Sequence, residues 1–441
     1  MRLLQTDQAL AQGSYYTASC ARSQAWPALQ EDVSCDVAIV GGGLAGLSAA
    51  LELAEAGQKV VLLEARQVGW GASGRNGGQA IHGLACDQAV IEDQLGLGAA
   101  RQVWDMTIEA IDLVRRRLAR YAIDADWQDG YLGLAVNARK ARSLQAWADR
   151  TQKVYQYPLQ RVGASEVQRH IASTRFHSGV YDPQGGHLHP LKYTRGLARA
   201  ADAAGVRIFE NSAVTALERG QHHSLLRTRS GTVRAGQVLL AGNVYLGKDH
   251  RLAPELAARI MPVGTYIVCT EPLGQSRCTA LIPGRAAVCD TNFVLDYFRP
   301  TTDHRMLYGG RVSYSTATPR QLPESMKARM VRTFPQLADV KIDFAWGGFV
   351  DITMNRAPDF GRLAPRGSDQ AAPVYYLQGF SGHGLALTGL AGQLVARAMA
   401  GDAARFDVFA RLRHAPFPGG DLLRMPSLVL GMAWYRLMDL F

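Results

Sequence analysis

No two of the six cysteines (Cys20, Cys35, Cys86, Cys269, Cys278 and Cys289) form a C-x-x-C pair or a Cys/His ligand spacing. A zinc module and a disulfide framework are therefore not expected, and the cysteines read as reduced thiols. The opening MRLLQTDQALAQGS lacks the apolar core of a secretory signal, and no run of about 18 apolar residues follows. A cytoplasmic location is the expectation. Zinc-finger, RNP-type and P-loop motifs, internal repeats and low-complexity linkers are missing too. Only 20% of residues are charged, with 48 basic against 38 acidic side chains and a net charge of +10. The arginines are spread along the chain. The densest run, Arg115-Arg116-Arg117, lies in a helical pattern and reads as a solvated face rather than a nucleic-acid footprint. What remains is a globular chain of 441 residues, 47% hydrophobic, long enough for two or three compact units.

Residues 1–34 are a polar lead-in without clear periodicity, expected to lie over the folded body. Residues 35–64 give a β-α-β pattern: strand 36–40, a glycine turn, an Ala/Leu-rich helix and strand 59–64. Helical periodicity recurs at 95–120, 138–154, 191–205 and 322–333. Strands are expected at QDGYLGLAV, VRIFE, around 214–235, at QVLLAG and repeatedly through 260–350. Residues 374–400 read as strand, glycine-rich turn and helix. The expected fold class is α/β (α+β overall), a Rossmann-type domain interleaved with an antiparallel-sheet domain. The division expected is 34–84, 186–250 and 345–412 for the first domain and 85–185 and 251–344 for the second. Residues 413–441 are expected to form a helical tail whose end, MPSLVLGMAWYRLMDLF, is amphipathic and docks on the body rather than on a membrane.

Gly41-Gly42-Gly43-Leu44-Ala45-Gly46 is a G-x-G-x-x-G between an apolar strand and a helix, and Glu64 ends the next strand. Gly41 permits the tight turn, Gly43 the approach of a pyrophosphate and Gly46 the packing of helix on strand, while Glu64 accepts from ribose hydroxyls. The helix N-terminus offers N–H groups and partial positive charge to phosphates. No second such motif occurs, so one dinucleotide is expected. The loop 69–79, with seven small residues in eleven, favours FAD over NAD, although a flexible surface loop would look the same alone. Gly379-Phe380-Ser381-Gly382-His383-Gly384, at another strand-to-helix turn, could face the flavin's pyrimidine edge.

These motifs together resemble the D-amino-acid-oxidase-like FAD-dependent oxidoreductases, whose FAD domain is of the glutathione-reductase type. SYYTAS at 14–19, GWGASGRNGG at 69–78, GGHLHPLKY at 185–193, MLYGGR at 306–311 and NRAPDFGR at 355–362 resemble the gamma-glutamylputrescine oxidase branch of that family. The resemblance implies non-covalent FAD held by Gly41, Gly43, Leu44, Ala45, Gly46, Glu64, Ala65 and Arg66. It adds Gly71, Ala72, Ser73, Arg75, Asn76, Gly77, Gly78, Gln79, Val214, Gly242 and Arg356, and then Gly379, Ser381, Gly382, His383, Gly384 and Leu385. No metal is expected. The implied partners are a small amine substrate and O2, with hydride passing to the flavin and hydrolysis giving an aldehyde and ammonia.

Sarcosine oxidases of the family carry a flavin-linking cysteine where Val350 stands here when Thr353 is aligned, and a carboxylate-clamping lysine where Ala386 stands. Two arginines of that branch correspond to Gln79 and His82. The covalent link and the amino-acid clamp are thus not expected, though Arg75 or Arg311 could serve as a clamp. Candidates for the reacting end are His383, Trp346, Tyr297 and Asp351. Trp346, Tyr297 and Phe298 could wall an amine by cation–π contact or be core, and Asp351 could face an ammonium. His187 and His189 read as structural.

Overall fold

The computed structural model describes residues 3–246, 252–313, 321–364 and 371–418. A strand of apolar residues buried on both faces needs neighbours on both edges and cover above and below. Val33–Val40 meets that need: it lies parallel to Thr232–Leu240 on one side and to Val60–Leu63 on the other, with Ile39 opposite Leu239 and Leu62. Arg207–Phe209 extends the sheet beyond Val60–Leu63, and Val374–Gln378 and Asp359–Arg362 extend it beyond Thr232–Leu240. The antiparallel hairpin of Ala216–Arg219 and Ser224–Arg227 also joins Thr232–Leu240. Successive side chains feed opposite cores. Val37, Ile39 and Leu62 pack with the helices Leu44–Glu55, Pro190–Ala203 and Leu387–Met399, whereas Ala38, Val40, Val61 and Leu63 pack on the other face. This is the expected α/β fold with a Rossmann-type unit.

The second sheet runs Ile342–Thr353, Ile260–Thr270, Met306–Ser313, Tyr297–Pro300, Ala287–Asp290, Gln128–Ala135, Ser178–His187 and Gln79–Ala80. All its pairings are antiparallel except that of Ala287–Asp290 with Gln128–Ala135. Helix Leu322–Thr333 covers one face with Met326 and Met330, both fully buried. The strand Ile342–Thr353 crosses the division drawn at 344/345, so residues 345–353 belong to this sheet, as do Gln79 and Ala80.

Three readings need correction. The lead-in forms the helices Leu3–Ala11 and Tyr15–Ser19, which bury Asp7, Leu10, Tyr15 and Tyr16. The long strand Ser178–His187 carries four glycine or proline positions and gave no strand signal in the sequence. Arg117 is not on a solvated face: it is buried and pairs with Glu52 at 2.9 Å, while Arg116 alone of its run is exposed. The tail, apart from residues 413–418, lies outside the described residues. Among the described residues no helix is long and apolar enough to cross a membrane.

Candidate active site

A cavity of about 400 Å³ lies between the two sheets, bounded by the turn after Val33–Val40, the loop 70–79, the strand Ile342–Thr353 and the turn after Val374–Gln378. Its first end is built by glycines that have physical work there. Gly41 has φ +118°, and a Cβ on it would stand 2.5 Å from the Ala241 carbonyl oxygen. A Cβ on Gly46 would collide with the Gly41 carbonyl oxygen and touch Ile39, so helix Leu44–Glu55 sits on its strand only because Gly46 has none. Gly43 precedes that helix with an ordinary φ of −91°. Its open side faces Ser73, whose Oγ accepts from the Leu44 N–H at 2.9 Å and caps the first turn. Glu64 is gripped by two backbone donors, Gly42 N–H and Arg66 N–H, each at 2.7 Å. Burial pushes its carboxyl up against the pull of those donors. Its remaining lone pairs can accept ribose hydroxyls.

The loop 70–79 is tied together by its own hydrogen bonds. Asn76 accepts from Gly78 N–H and donates to the carbonyls of Ala72 and Ser73. Gly77 lacks a side chain because the Tyr297 ring lies on it: a Cβ would stand 2.6 Å from Cε2. The same ring covers Gly309, so Tyr297 enters the cavity wall between two glycines from different strands and loops. Burial raises its phenol well above the ordinary value. Gln79 donates to the Val288 carbonyl at 3.1 Å and accepts from the Cys289 thiol at 2.9 Å. Arg75 lines the cavity but is no free clamp. Both its terminal nitrogens meet the Asp7 carboxylate at 2.8 Å, and Nη1 also donates to the Gly347 carbonyl. Tyr245 bonds the same carboxylate. The side chain of Arg311 lies outside the described residues.

At the far end Asp351 accepts from Gly379 N–H at 2.6 Å, while its own carbonyl accepts from Ser381 N–H at 3.1 Å. This buried aspartate therefore pins both limbs of the turn 379–384. His383 donates from Nε2 to the His82 carbonyl at 2.9 Å, which fixes its tautomer, and burial brings it down to about 4. It is neutral at physiological pH. Burial pushes Asp351 up to about 7, against the backbone donors of Gly379 and Phe380. Between pH 3.8 and about 7 the folded chain holds a proton there that the unfolded chain has released, so stability falls as pH rises through that window. The whole shift corresponds to about 4 kcal/mol. Asp351→Asn is expected to flatten this fall, read from denaturant midpoints measured across that same window, from its acid end to neutrality; an unchanged slope in the variant would remove Asp351 from the account.

Gly41, Gly43, Leu44, Ala45, Glu64, Ala65 and Arg66 line the cavity, as do Gly71, Ala72, Ser73, Arg75, Asn76, Gly77 and Gln79. So do Val214, Gly242, Arg356, Ser381, Gly382, His383, Gly384, Leu385, Tyr297 and Asp351. Gly46, Gly78 and Gly379 stand one layer behind, where each relieves a contact with backbone or side chain. Trp346 does not reach the cavity: it is fully buried, donates to the Arg75 carbonyl at 2.9 Å and packs edge-on against Tyr16. Phe298 is likewise core, stacked on Tyr308. His82 is buried outside the cavity against Asp182, at 2.6 Å. His189 caps helix Pro190–Ala203, accepting from Lys192 N–H, and His187 donates to the Arg285 carbonyl. Lining residues that the sequence did not single out include Trp70, Tyr245 and the loop Phe293-Val294-Leu295. Phe293 lies 5.1 Å beneath the Arg356 guanidinium. Among the described residues no group of His, Cys, Asp or Glu side chains is arranged to hold a metal ion.

The residues fit a dinucleotide: a helix N-terminus behind a cleared glycine turn, a carboxylate with open lone pairs beyond it, and a second glycine turn facing it across the cavity. Comparison with known proteins agrees. Residues 36–398 match the family described as FAD dependent oxidoreductase (DAO). The chain is 43% identical over 428 residues to gamma-glutamylputrescine oxidoreductase of Escherichia coli (strain K12), covering 97% of this chain and 98% of that one. It is 25% identical over 354 residues to the sarcosine oxidase beta subunit of an Arthrobacter species, covering 76% of this chain and 80% of that one. In fold it is similar to glycine oxidase from Geobacillus kaustophilus, with TM-score 0.69 and 21% identity over 83% of this chain and 95% of that one. It is also similar to L-proline dehydrogenase from P. horikoshii, with TM-score 0.70 and 20% identity over 87% and 98% of the two chains.

Proposed function

Starting from the fact that this chain belongs to the DAO family of FAD-dependent oxidoreductases, we propose that it oxidises a primary amine on a chain longer than a simple amino acid. The substrate of choice is gamma-glutamylputrescine or a related polyamine conjugate. The overall reaction is amine, O2 and water going to aldehyde, ammonia and hydrogen peroxide. The observation that carries this reading is that the positions where the amino-acid-oxidising branch keeps its link and clamp are neutral here. Gln79 is tied to Val288 and Cys289, Ala386 and Val350 are aliphatic, and the nearby Arg75 is neutralised by Asp7. A carboxylate beside the reacting carbon would need a charge-assisted partner, and burying it unpaired is costly. The 43% identity to the E. coli enzyme supports the same substrate class.

Bound FAD supplies the two-electron acceptor. The chain's part is to position the amine and set its charge. The apolar wall of Val350, Phe349 and Tyr297 strips water from an entering ammonium and favours the neutral amine. His383, held neutral, adds no positive charge to oppose it, and Asp351 keeps the turn that carries His383 in place.

One observation favours a second reading, an amino- or imino-acid oxidase: Arg356 lines the cavity close enough to His383 to help depress its pKa, and a guanidinium can pair a carboxylate. Comparing kcat/KM for gamma-glutamylputrescine, putrescine, glycine, sarcosine and pipecolate separates the two. Gamma-glutamylputrescine is expected to lead by at least about tenfold, or about 1.4 kcal/mol of transition-state stabilisation. A small amino or imino acid leading by that margin would overturn the assignment. Anaerobic bleaching by substrate followed by admission of air tests the oxidase reading; slow recovery would mean a dehydrogenase passing electrons to another acceptor.

We further propose that the flavin is held without a covalent link. Cys289 lines the cavity, but burial raises its thiol to about 12 and it donates to Gln79, so the nucleophilic thiolate is not formed. Acid precipitation should leave the yellow colour in the supernatant, whereas colour in the pellet would contradict this. All six cysteines are free thiols.

A further inference from the structure

Behind the loop 76–77, on the side away from the main cavity, lies a separate cup of about 70 Å³. Its floor is Arg299, 4% exposed, and its rim carries the half-buried Arg285 and the exposed Thr302. Buried guanidinium groups are ordinarily matched by a carboxylate. Here Arg299 donates to the carbonyls of Gly77 and Leu188, to the Tyr16 hydroxyl and, at 3.4 Å, to His187 Nδ1. All four are neutral. They occupy four of the five guanidinium N–H groups, and the fifth, on Nη1, has no acceptor among the described residues. Arg285 donates to the Thr301 carbonyl at 2.7 Å and approaches His304 Nδ1 at 3.2 Å, again without a carboxylate. The one acid on the cup, Asp126, is already paired with Lys192 at 2.7 Å. His187 and His189 bring no charge: burial and the neighbouring Arg299 hold both imidazoles neutral, His189 near 3. The cup thus carries two cations in excess.

We propose that this cup is an anion site, in which Arg299 and Arg285 take a small oxyanion, a carboxylate or a phosphate. A cup of this volume holds on the order of five water-sized groups, enough for either. Arg299 Nε holds the Gly77 carbonyl and Tyr16 holds that of Asn76, so the bound anion sits one peptide layer behind two residues of the main cavity wall. Neutralising Arg299 there lowers the positive potential on that wall without touching the substrate. The site does not depend on which amine the enzyme oxidises.

The test is thermal unfolding of the holoprotein at constant ionic strength, with sodium gluconate, too bulky for the cup, replaced stepwise by sodium formate or sodium phosphate. A saturable rise of about 2 °C or more is expected with at least one of the two when it is well above its Kd. Formate alone raising Tm marks a carboxylate site, and phosphate a phosphate site. Arg285→Gln is expected to abolish the rise, and Thr302→Trp, which closes the mouth from an exposed position, gives the same result should Arg285→Gln fold poorly. No saturable rise with either anion in the wild type, or an equal rise in wild type and variants, overturns the proposal.

Discussion

Gly43→Leu is expected to emerge from purification folded and colourless, with the ratio of flavin to protein down by about tenfold or more, or at least about 1.4 kcal/mol of binding. The backbone at Gly43 has φ −91°, which any residue adopts, so the substitution brings no conformational strain. Its Cβ would stand 2.8 Å from Ser73 Oγ, a side chain that can turn away. The fold is therefore spared. What is lost is local: Ser73 gives up the Leu44 N–H that it caps, and the leucine fills the space before the helix N-terminus where a diphosphate must sit. Far-UV circular dichroism checks the folding and the visible spectrum checks the flavin. A yellow Gly43→Leu protein with full occupancy would mean that the dinucleotide passes elsewhere. Gly46 is a poorer choice for this test, since any side chain there collides with the Gly41 carbonyl and disturbs the sheet.

The second large effect is on stability. Asp7→Ala leaves the Arg75 guanidinium buried with its charge uncompensated and removes the acceptor of Tyr245. The expected loss is about 3–5 kcal/mol, the range for breaking a buried ion pair from one side. Denaturant unfolding of the holoprotein measures it. Adding Arg75→Met to Asp7→Ala should recover much of the loss, because the charge is then removed as well. A loss below about 1 kcal/mol for the single variant would show that the N-terminal helix is not bound to the cavity loop in this way.

What could be read from the sequence and what could not divides by distance along the chain. The turn 41–46 and Glu64 were legible because a strand, a tight turn and a helix state their requirements within thirty residues. The turn 379–384 was legible for the same reason. Trp346 was misplaced through a long-range cause. It shares a strand face with Gly348 and Val350, which do line the cavity, but Tyr16 from the lead-in covers that end of the face. The lead-in had no periodicity to announce that it would enter the core. Arg75 looked available for the same reason, its partner lying 68 residues earlier. Residues 292–300 lie in the stretch 260–350 where strands are expected repeatedly, yet of these nine only Tyr297–Pro300 pair. Asp290 and Asp296 both bind Arg175, at 2.7 and 2.9 Å, and this clamp folds the residues between them into a loop that lines the cavity. No local pattern encodes a clamp made by a residue over a hundred positions away.

The strand order of the first sheet also fixes a schedule. Val33–Val40 leaves the ribosome early, yet its neighbour Thr232–Leu240 is made much later and the next strand, Val374–Gln378, later still. At about 5–20 residues per second, roughly 17–70 s separate the first strand from the last. Through that interval the nascent chain carries an unfinished sheet with an open edge, and the pocket has one glycine turn but not the other. A truncated chain or a stalled ribosome would therefore present half a nucleotide site and a bare strand, which makes the strand Val374–Gln378, with the glycine turn after it, the step that both pairs the open edge and completes the pocket.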